Sequence, residues 1–447
     1  MRVDPLTAVQ LGGAAALQPP ARWPGVASDG RAAATDARDQ LLLVLPPLAR
    51  RASDGSLWFE LQALNGLRLW ADNFARVEAA CEVRPLRPDE AGRYAPLEAL
   101  LSTGRLSFAE LPSTRGRLGY LTARGQARRA LEPLIARSRF VCIALGHVTE
   151  DWGYTAVDVA QRAGRAYAVW TDRVEHRVLL GDHRDRQGWR RWYRWCRSHL
   201  LMSPWLRHLE HRAIARAQLG LFHGADCYGA YSPWSRMPQL VHDVHLSAGD
   251  RIDDAAFDAK LARIGRGEPL RIVYAGRAAA MKGGDDWVEM LGHLAAAGLA
   301  FEATWLGDGP LLGSMRDRLV QLGLADRVRL PGHRDDRTAV LQAMREADLF
   351  VFCHKSPESP RCLIEALASG TPIVGYSSPF AADLIGPQAD DCLVEPDARQ
   401  LADRVAAIAR DVHGLHALVE AARRRGHDFT SESMFRHRSE LIRHHLA

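Results

Sequence analysis

No apolar run in the sequence approaches the roughly 18 residues that a helical membrane crossing requires, so an integral membrane protein built on helical spans is excluded. Paired cysteines are missing too. The seven present, at 81, 142, 196, 227, 353, 362 and 392, are odd in number, scattered, and form no CxxC. That argues against a disulfide framework or a zinc site and points to a reducing compartment, the cytoplasm. The opening stretch MRVDPLTAVQLGGAAALQPP sets Asp4, Pro5 and Gln10 where a secretion signal would be apolar, so secretion is not expected. A strong charge of one sign is lacking: 58 Lys+Arg against 53 Asp+Glu leave +5. This balance permits attraction to anionic substrates or surfaces and gives no reason to invoke nucleic acid.

What is present is an ordinary globular composition, 47% hydrophobic and 25% charged, in a chain of 447 residues. That length exceeds one typical core, so two domains are expected. The Ala/Pro/Gly-rich residues 1–39 have no sustained period and read as a poorly ordered lead-in that includes Gly12–Gly13. A first α/β domain is assigned to 40–232, an interdomain segment to 233–268, a second α/β domain to 269–425 and a closing helix to 426–447.

The second domain carries the chemistry. RIVYAGRAAAMKGG (271–284) is a strand that delivers Arg277 to its carboxyl end, with Lys282 just beyond. FEATWLGDGPLLGSMRDRL (301–319) is a strand, a glycine turn at Gly307–Gly309 and a helix. RVRLPG (327–332) and ADLFVFC (347–353) are further strands, and SPESPRCLIEALASGTPIVGY (356–376) holds Glu358 in a loop and Glu365 on a short helix that Gly370 terminates. Alternating strands and helices imply a parallel, doubly wound sheet, and such sheets bind ligands outside the carboxyl ends of their strands. Arg277, Lys282 and the helix N-terminus near Pro360–Leu363 would then concentrate positive potential suited to a diphosphate. The carboxylates suit hydroxyl-rich partners, a ribose and a sugar ring.

The ordered set Gly276, Arg277, Lys282 and Gly283, then LGDGP (306–310), PG (331–332) and E…LIEALASGTPIV (358–374) resembles the donor half of the retaining glycosyltransferase family four, the glycosyl transferases group 1, with its GT-B fold. The resemblance spans about 270–425 and is only topological before that. It implies two Rossmann-like domains facing across a cleft and a hexose passing from a nucleoside-diphosphate sugar to a hydroxyl acceptor, with retention and without metal or other cofactor. Six residues lie between Glu358 and Glu365, one fewer than the family's usual spacing. By resemblance Glu365 holds the ribose, Glu358 a sugar hydroxyl, and Arg277 and Lys282 the leaving diphosphate. Gly276, Gly307, Gly332, His333 and Leu363 complete the donor side, with base recognition around Gly332–Arg334.

In the first domain, QLLLVLPPL (40–48) is a buried strand. LWFELQALNGLRLWADNF (57–74) reads as a loop followed by a helix begun by Asn65; the resemblance turns this loop, with Asn65 and Gly66, toward donor and acceptor. RFVCIALGH (139–147) ends on His147 and AYAVWTDRVEH (166–176) carries Thr171 and Asp172 at its strand end; these three are the remaining acceptor-side residues. By resemblance His147 lies close to the transferred sugar. The basic, aromatic segment 184–212 is either a core-facing stripe with a solvated back or a peripheral contact with anionic membrane on the inner face. RHLEHRAIARAQLGLFHG (207–224) is expected as a helix closed by Gly224, DCYGAYS (226–232) as the last strand, and Ser431 or Ser433 as the cap of the closing helix. His242, Asp243 and His245 are assigned to the linker, with no metal.

Two rivals remain. A dehydrogenase fails because GDGPLLG lacks the GxGxxG spacing and no acidic residue closes the next strand. A non-catalytic sugar-nucleotide-binding protein on the same fold is the second.

Overall fold

The computed structural model describes residues 39–113, 116–146, 152–177, 202–334, 336–356 and 359–447. His147, Glu358, the lead-in up to residue 38 and the 184–201 part of the basic segment lie outside these residues.

The first sheet is organised around β1 (Gln40–Val44), which pairs in parallel with β4 (Arg76–Pro85) on one side and β7 (Phe140–Ala144) on the other. Its side chains alternate between two cores: Leu41 and Leu43 pack on one face, Leu42 and Val44 on the other. A strand covered on both faces needs this unbroken apolar run. The sheet continues in parallel through β8 (Ala168–Thr171), β9 (Leu219–His223) and β10 (Pro238–Val241). On the far side β4 pairs with β6 (Leu106–Leu111) and, further along, with β2 (Ala49–Arg51). From β2 the sheet turns antiparallel through β3 (Leu57–Glu60) and β5 (Tyr94–Pro96). The direction of strand order therefore reverses between β1 and β7.

The second sheet is wholly parallel, in the order β13-β12-β11-β14-β15-β16. Its strands are β11 (Leu270–Ala275), β12 (Phe301–Leu306), β13 (Val328–Gly332), β14 (Leu349–Phe352), β15 (Ile373–Tyr376) and β16 (Leu393–Val394). The reversal here falls between β11 and β14. Both sheets thus have the switch point at which doubly wound folds open a crevice.

Four local readings are corrected. Leu57–Glu60 is a strand, and the helix Leu61–Asn73 begins earlier than Asn65 because the Glu60 carboxylate accepts from the Ala63 amide at 2.8 Å. Asn65 and Gly66 lie inside that helix. Gly66 lets Phe435 pack closely there, since a Cβ would stand 3.3 Å from the Phe435 ring. LGLFH is the fully buried strand β9, and Gly224, at φ +70°, starts the helix Gly224–Tyr231 where a strand was expected. The last strand of the first sheet is β10, so the interdomain segment starts after Val241. Thr430 caps the closing helix Ser431–Leu446, receiving the Ser433 amide at 3.2 Å. That helix returns to the first domain, where Phe435, Ile442 and Leu446 join the core beneath β1.

Candidate functional site

On the second domain, backbone hydrogen bonds tie together the loops at one sheet edge. Gly276 N donates to Leu306 O (2.8 Å), Ala278 N to Asp308 O (3.0 Å) and Gly307 N to Gly332 O (3.0 Å). Gly307 is obligatory: a Cβ would fall 2.0 Å from the Gly276 carbonyl oxygen. Gly283, at φ +68°, lies against the loop after β14, where a Cβ would sit 2.1 Å from Cys353 O. Lys355 N donates to Met281 O at 2.9 Å, closing the join between the Lys282 turn and β14. The loops after β11, β12, β13 and β14 therefore form one surface.

Arg277 is exposed on that surface and Lys282 half-buried beside it. Lys282 is close enough to act on His354: burial first, then the ammonium charge, pushes that imidazole down to about 3. Its Nε2 meets the Tyr274 hydroxyl at 2.8 Å. Behind the turn, Asp286 accepts from Lys355 Nζ (2.6 Å) and the Tyr376 hydroxyl (2.7 Å). Gly332 ends β13, and the exposed His333 and Arg334 follow it.

The helix Arg361–Ala368 begins after Pro360 with no side-chain cap among the described residues, leaving its N-terminal dipole available to an anion. Leu363 contributes backbone only, because its side chain is buried in the second core. Glu365 lies partly exposed on the same helix and accepts from Arg337 Nη1 at 3.0 Å.

Arg361 was not singled out in the sequence, although it stands directly before the recognised motif. Its Nη2 donates to Asp243 Oδ2 at 2.8 Å, and its Nη1 reaches Gln62 Oε1 on the Leu61–Asn73 helix. It thereby joins the second domain to the linker and to the first domain. Asp243 is a hub: its second neighbour is His245 Nε2 at 3.1 Å, and Arg438 Nη2 stands 3.9 Å from Oδ1. Burial would raise the Asp243 pKa, but the His245 hydrogen bond and the charges of His245, Arg438 and Arg361 outweigh it and hold the group below the usual carboxylate range. His242 bonds Asp383 at 2.8 Å, and His223 Nδ1 accepts from Asp243 N at 2.7 Å. HDVH is thus an interdomain joint.

On the acceptor side, Gly66, Thr171 and Asp172 line a cavity of about 270 Å³ at the carboxyl ends of β1, β7 and β8. Asp243, His245 and Arg361 also line it, whereas Arg277, Lys282 and Glu365 do not. Thr171 is buried and its hydroxyl donates to Arg173 O at 2.8 Å; Asp172 is exposed. Asn65 turns away, accepting from Arg68 Nη2 at 3.1 Å.

Two doubly wound domains, each with its crevice at a switch point and joined by a returning C-terminal helix, define the GT-B class of fold. The fold agrees with HepE of Anabaena, solved in complex with UDP, at TM-score 0.59 over 91% of this chain and 100% of that one, with 13% identity. Residues 269–411 match the family described as Glycosyl transferases group 1. The chain is 31% identical over 183 residues to the putative colanic acid biosynthesis glycosyltransferase WcaL of Escherichia coli K12, covering 39% of this chain and 45% of the relative. It is 30% identical over 183 residues, with the same coverage, to the 2-deoxystreptamine glucosyltransferase of Streptomyces kanamyceticus. The chain thus spans less than half the length of these two relatives.

Proposed function

We propose that this protein is a glycosyltransferase that moves a hexose from a nucleoside-diphosphate sugar to a hydroxyl acceptor, with retention of configuration. The reading rests on one convergence: the Arg277 and Lys282 loops, the N-terminus of Arg361–Ala368, uncapped among the described residues, and Glu365 share the carboxyl-end surface of one parallel sheet. A diphosphate needs several positive groups from different elements, and this edge supplies them. Glu365 is positioned one helical turn along from that anion site, where a ribose would lie. The family match of residues 269–411 and the UDP found on HepE support the same donor class.

As the bond between the sugar and the diphosphate breaks, its electron pair stays on the departing oxygen. Arg277 and Lys282 would stabilise that growing charge more than the ground state, which lowers the barrier. The acceptor hydroxyl enters from the first domain past Thr171 and Asp172, its oxygen bonds to the anomeric carbon, and its proton passes to the departing diphosphate oxygen.

The test is a thermal-shift screen with UDP, GDP and ADP, followed by nucleoside-diphosphate release from the matching nucleotide sugar. Ligand at a hundred times its Kd adds about 2.7 kcal/mol to a folded state that binds it. No shift with any nucleoside diphosphate would reject the reading; a shift without transfer to any acceptor would leave a sugar-nucleotide-binding protein.

A further inference from the structure

We propose that the cavity at the first sheet's switch point seats an apolar group of the acceptor, so that the acceptor is an amphipathic alcohol carrying a short alkyl chain or a single ring. This rests on the glycosyltransferase reading and specifies its acceptor class.

The location is the first argument. Strand order reverses between β1 and β7, and the cavity is lined by Leu43 and Leu45 at the carboxyl end of the first of these and by Ala144 and Leu145 at that of the second. Ligands of open parallel sheets bind at this place. The lining is the second argument. Leu67, Trp70, Trp170 and Phe435 complete a wall whose exposed surface is mostly carbon, and most of its polar residues are already engaged: Glu60 caps a helix, Arg173 pairs with Glu175, and Gln62, Arg361, Asp243 and His245 bond one another across the joint. A sugar in such a wall would lose water at many hydroxyls and regain few hydrogen bonds. Thr171, the polar group nearest the strand ends, already spends its proton on Arg173 O. An alkyl or aryl group meets no such cost.

The third argument is how the wall is held. Trp170 belongs to the lining. Beneath it, the buried Arg438 guanidinium lies 5.3 Å from the Trp170 ring and 5.2 Å from the Phe435 ring, which holds both aromatic walls in position. The volume, about 270 Å³, lies near the lower end for small-molecule pockets, which limits the group to a short chain or one ring.

The experiment is isothermal titration calorimetry of the full chain with straight-chain primary alcohols from butanol to decanol, 2-phenylethanol, and glycerol as the polar control. Affinity is expected to rise about fourfold per added methylene until the cavity is full, then to level. Ala63→Leu and Ala144→Leu, which fill the cavity from two elements, should weaken octanol binding at least tenfold in whichever variant is folded. If phenylethanol binds and the chain series does not, the group is a ring; the reverse makes it a chain. Affinity that climbs without levelling, absence of saturable binding by both probe types, glycerol binding as tightly as octanol, or folded filling variants that bind like the parent would each overturn the proposal. Nucleoside-diphosphate thermal shifts on the same preparations separate this from a failure of the glycosyltransferase reading, which would show as no shift in the parent.

Discussion

Arg337 holds Glu365 with one nitrogen and the interdomain segment with the other: Nη1 donates to Glu365 Oε1 at 3.0 Å and Nη2 to the His245 carbonyl at 3.1 Å. The carboxylate assigned to the ribose is therefore already engaged, and a ribose must compete with a guanidinium for it.

This competition has a measurable sign. Glu365→Ala should weaken nucleoside-diphosphate binding by roughly ten- to a hundredfold, the loss of hydrogen bonds to a charged group, and by more than Glu358→Ala does. Arg337→Ala should strengthen binding, by no more than about fivefold because a partly exposed ion pair contributes about 0–1 kcal/mol. Unchanged affinity in Glu365→Ala would remove the ribose assignment; weaker binding in Arg337→Ala would show that Arg337 assists the donor.

Arg277 should act on turnover. Its replacement by Ala is expected to cost on the order of 10²–10³ in kcat, the scale for losing a preorganised electrostatic group. Arg277→Lys should recover only part, because an ammonium lacks the planar fork. A kcat within a few-fold of the parent in Arg277→Ala would mark the side chain as a surface group.

The interdomain joint offers a contrast between two partners. Asp243→Ala leaves Arg361 and the buried Arg438 facing each other without their shared carboxylate, and should cost about 3–5 kcal/mol in urea unfolding. Arg438→Met removes a guanidinium whose Nε and Nη1 already lack partners among the described residues, so it should cost far less. The reverse order would mean that Arg438 carries the joint.

Two glycines should respond oppositely to alanine. Gly283→Ala meets both a left-handed backbone and the Cys353 carbonyl, so it should lower stability and disturb donor binding together. Gly313, inside the helix Leu312–Gln321 with open space around it, should gain about 0.5–1 kcal/mol. Equal melting temperatures for the two variants would contradict this account.

Acid should destabilise the fold below about pH 6.5. Burial pushes His223 and His354 down to about 3 and His211 to about 4, so each stays neutral in the folded protein while the unfolded chain protonates it. The unfolded state then binds more protons, and stability is lost as pH falls from about 6.5, by up to about 1.4 kcal/mol per pH unit for each of His223 and His354. Asp226, which burial raises to about 6, works in the opposite direction between about 4 and 6 and offsets only one group. Urea midpoints that do not fall between pH 7 and pH 5, or a slope unaltered in His354→Gln, would refute this balance.

The second domain was legible strand by strand because its signals are local. A parallel strand buried on both faces must be an unbroken apolar run, and the turns that follow need glycine where the backbone crosses another loop, as Gly307 does at Gly276. The same rule applied to LGLFH, but that run follows the helix Ser203–Arg216 so closely that the two read as one element. Asn65–Gly66 resembled a helix start because Asn caps helices; the actual cap is Glu60, a less usual residue for the role, and Gly66 serves Phe435 instead.

By itself, then, the sequence determined two α/β domains, the doubly wound character of the second, and Arg277, Lys282 and Glu365 as strand-end and helix residues, since each follows from a few neighbouring positions. Tertiary structure alone decided the joint and the cavity. Arg438 and His242 bond across 196 positions, and Arg361 reaches Gln62 across 299. No periodicity or motif spans such separations. An arginine buried under Trp170 looks in the sequence like any solvated helix residue until the returning helix packs it beneath the first sheet.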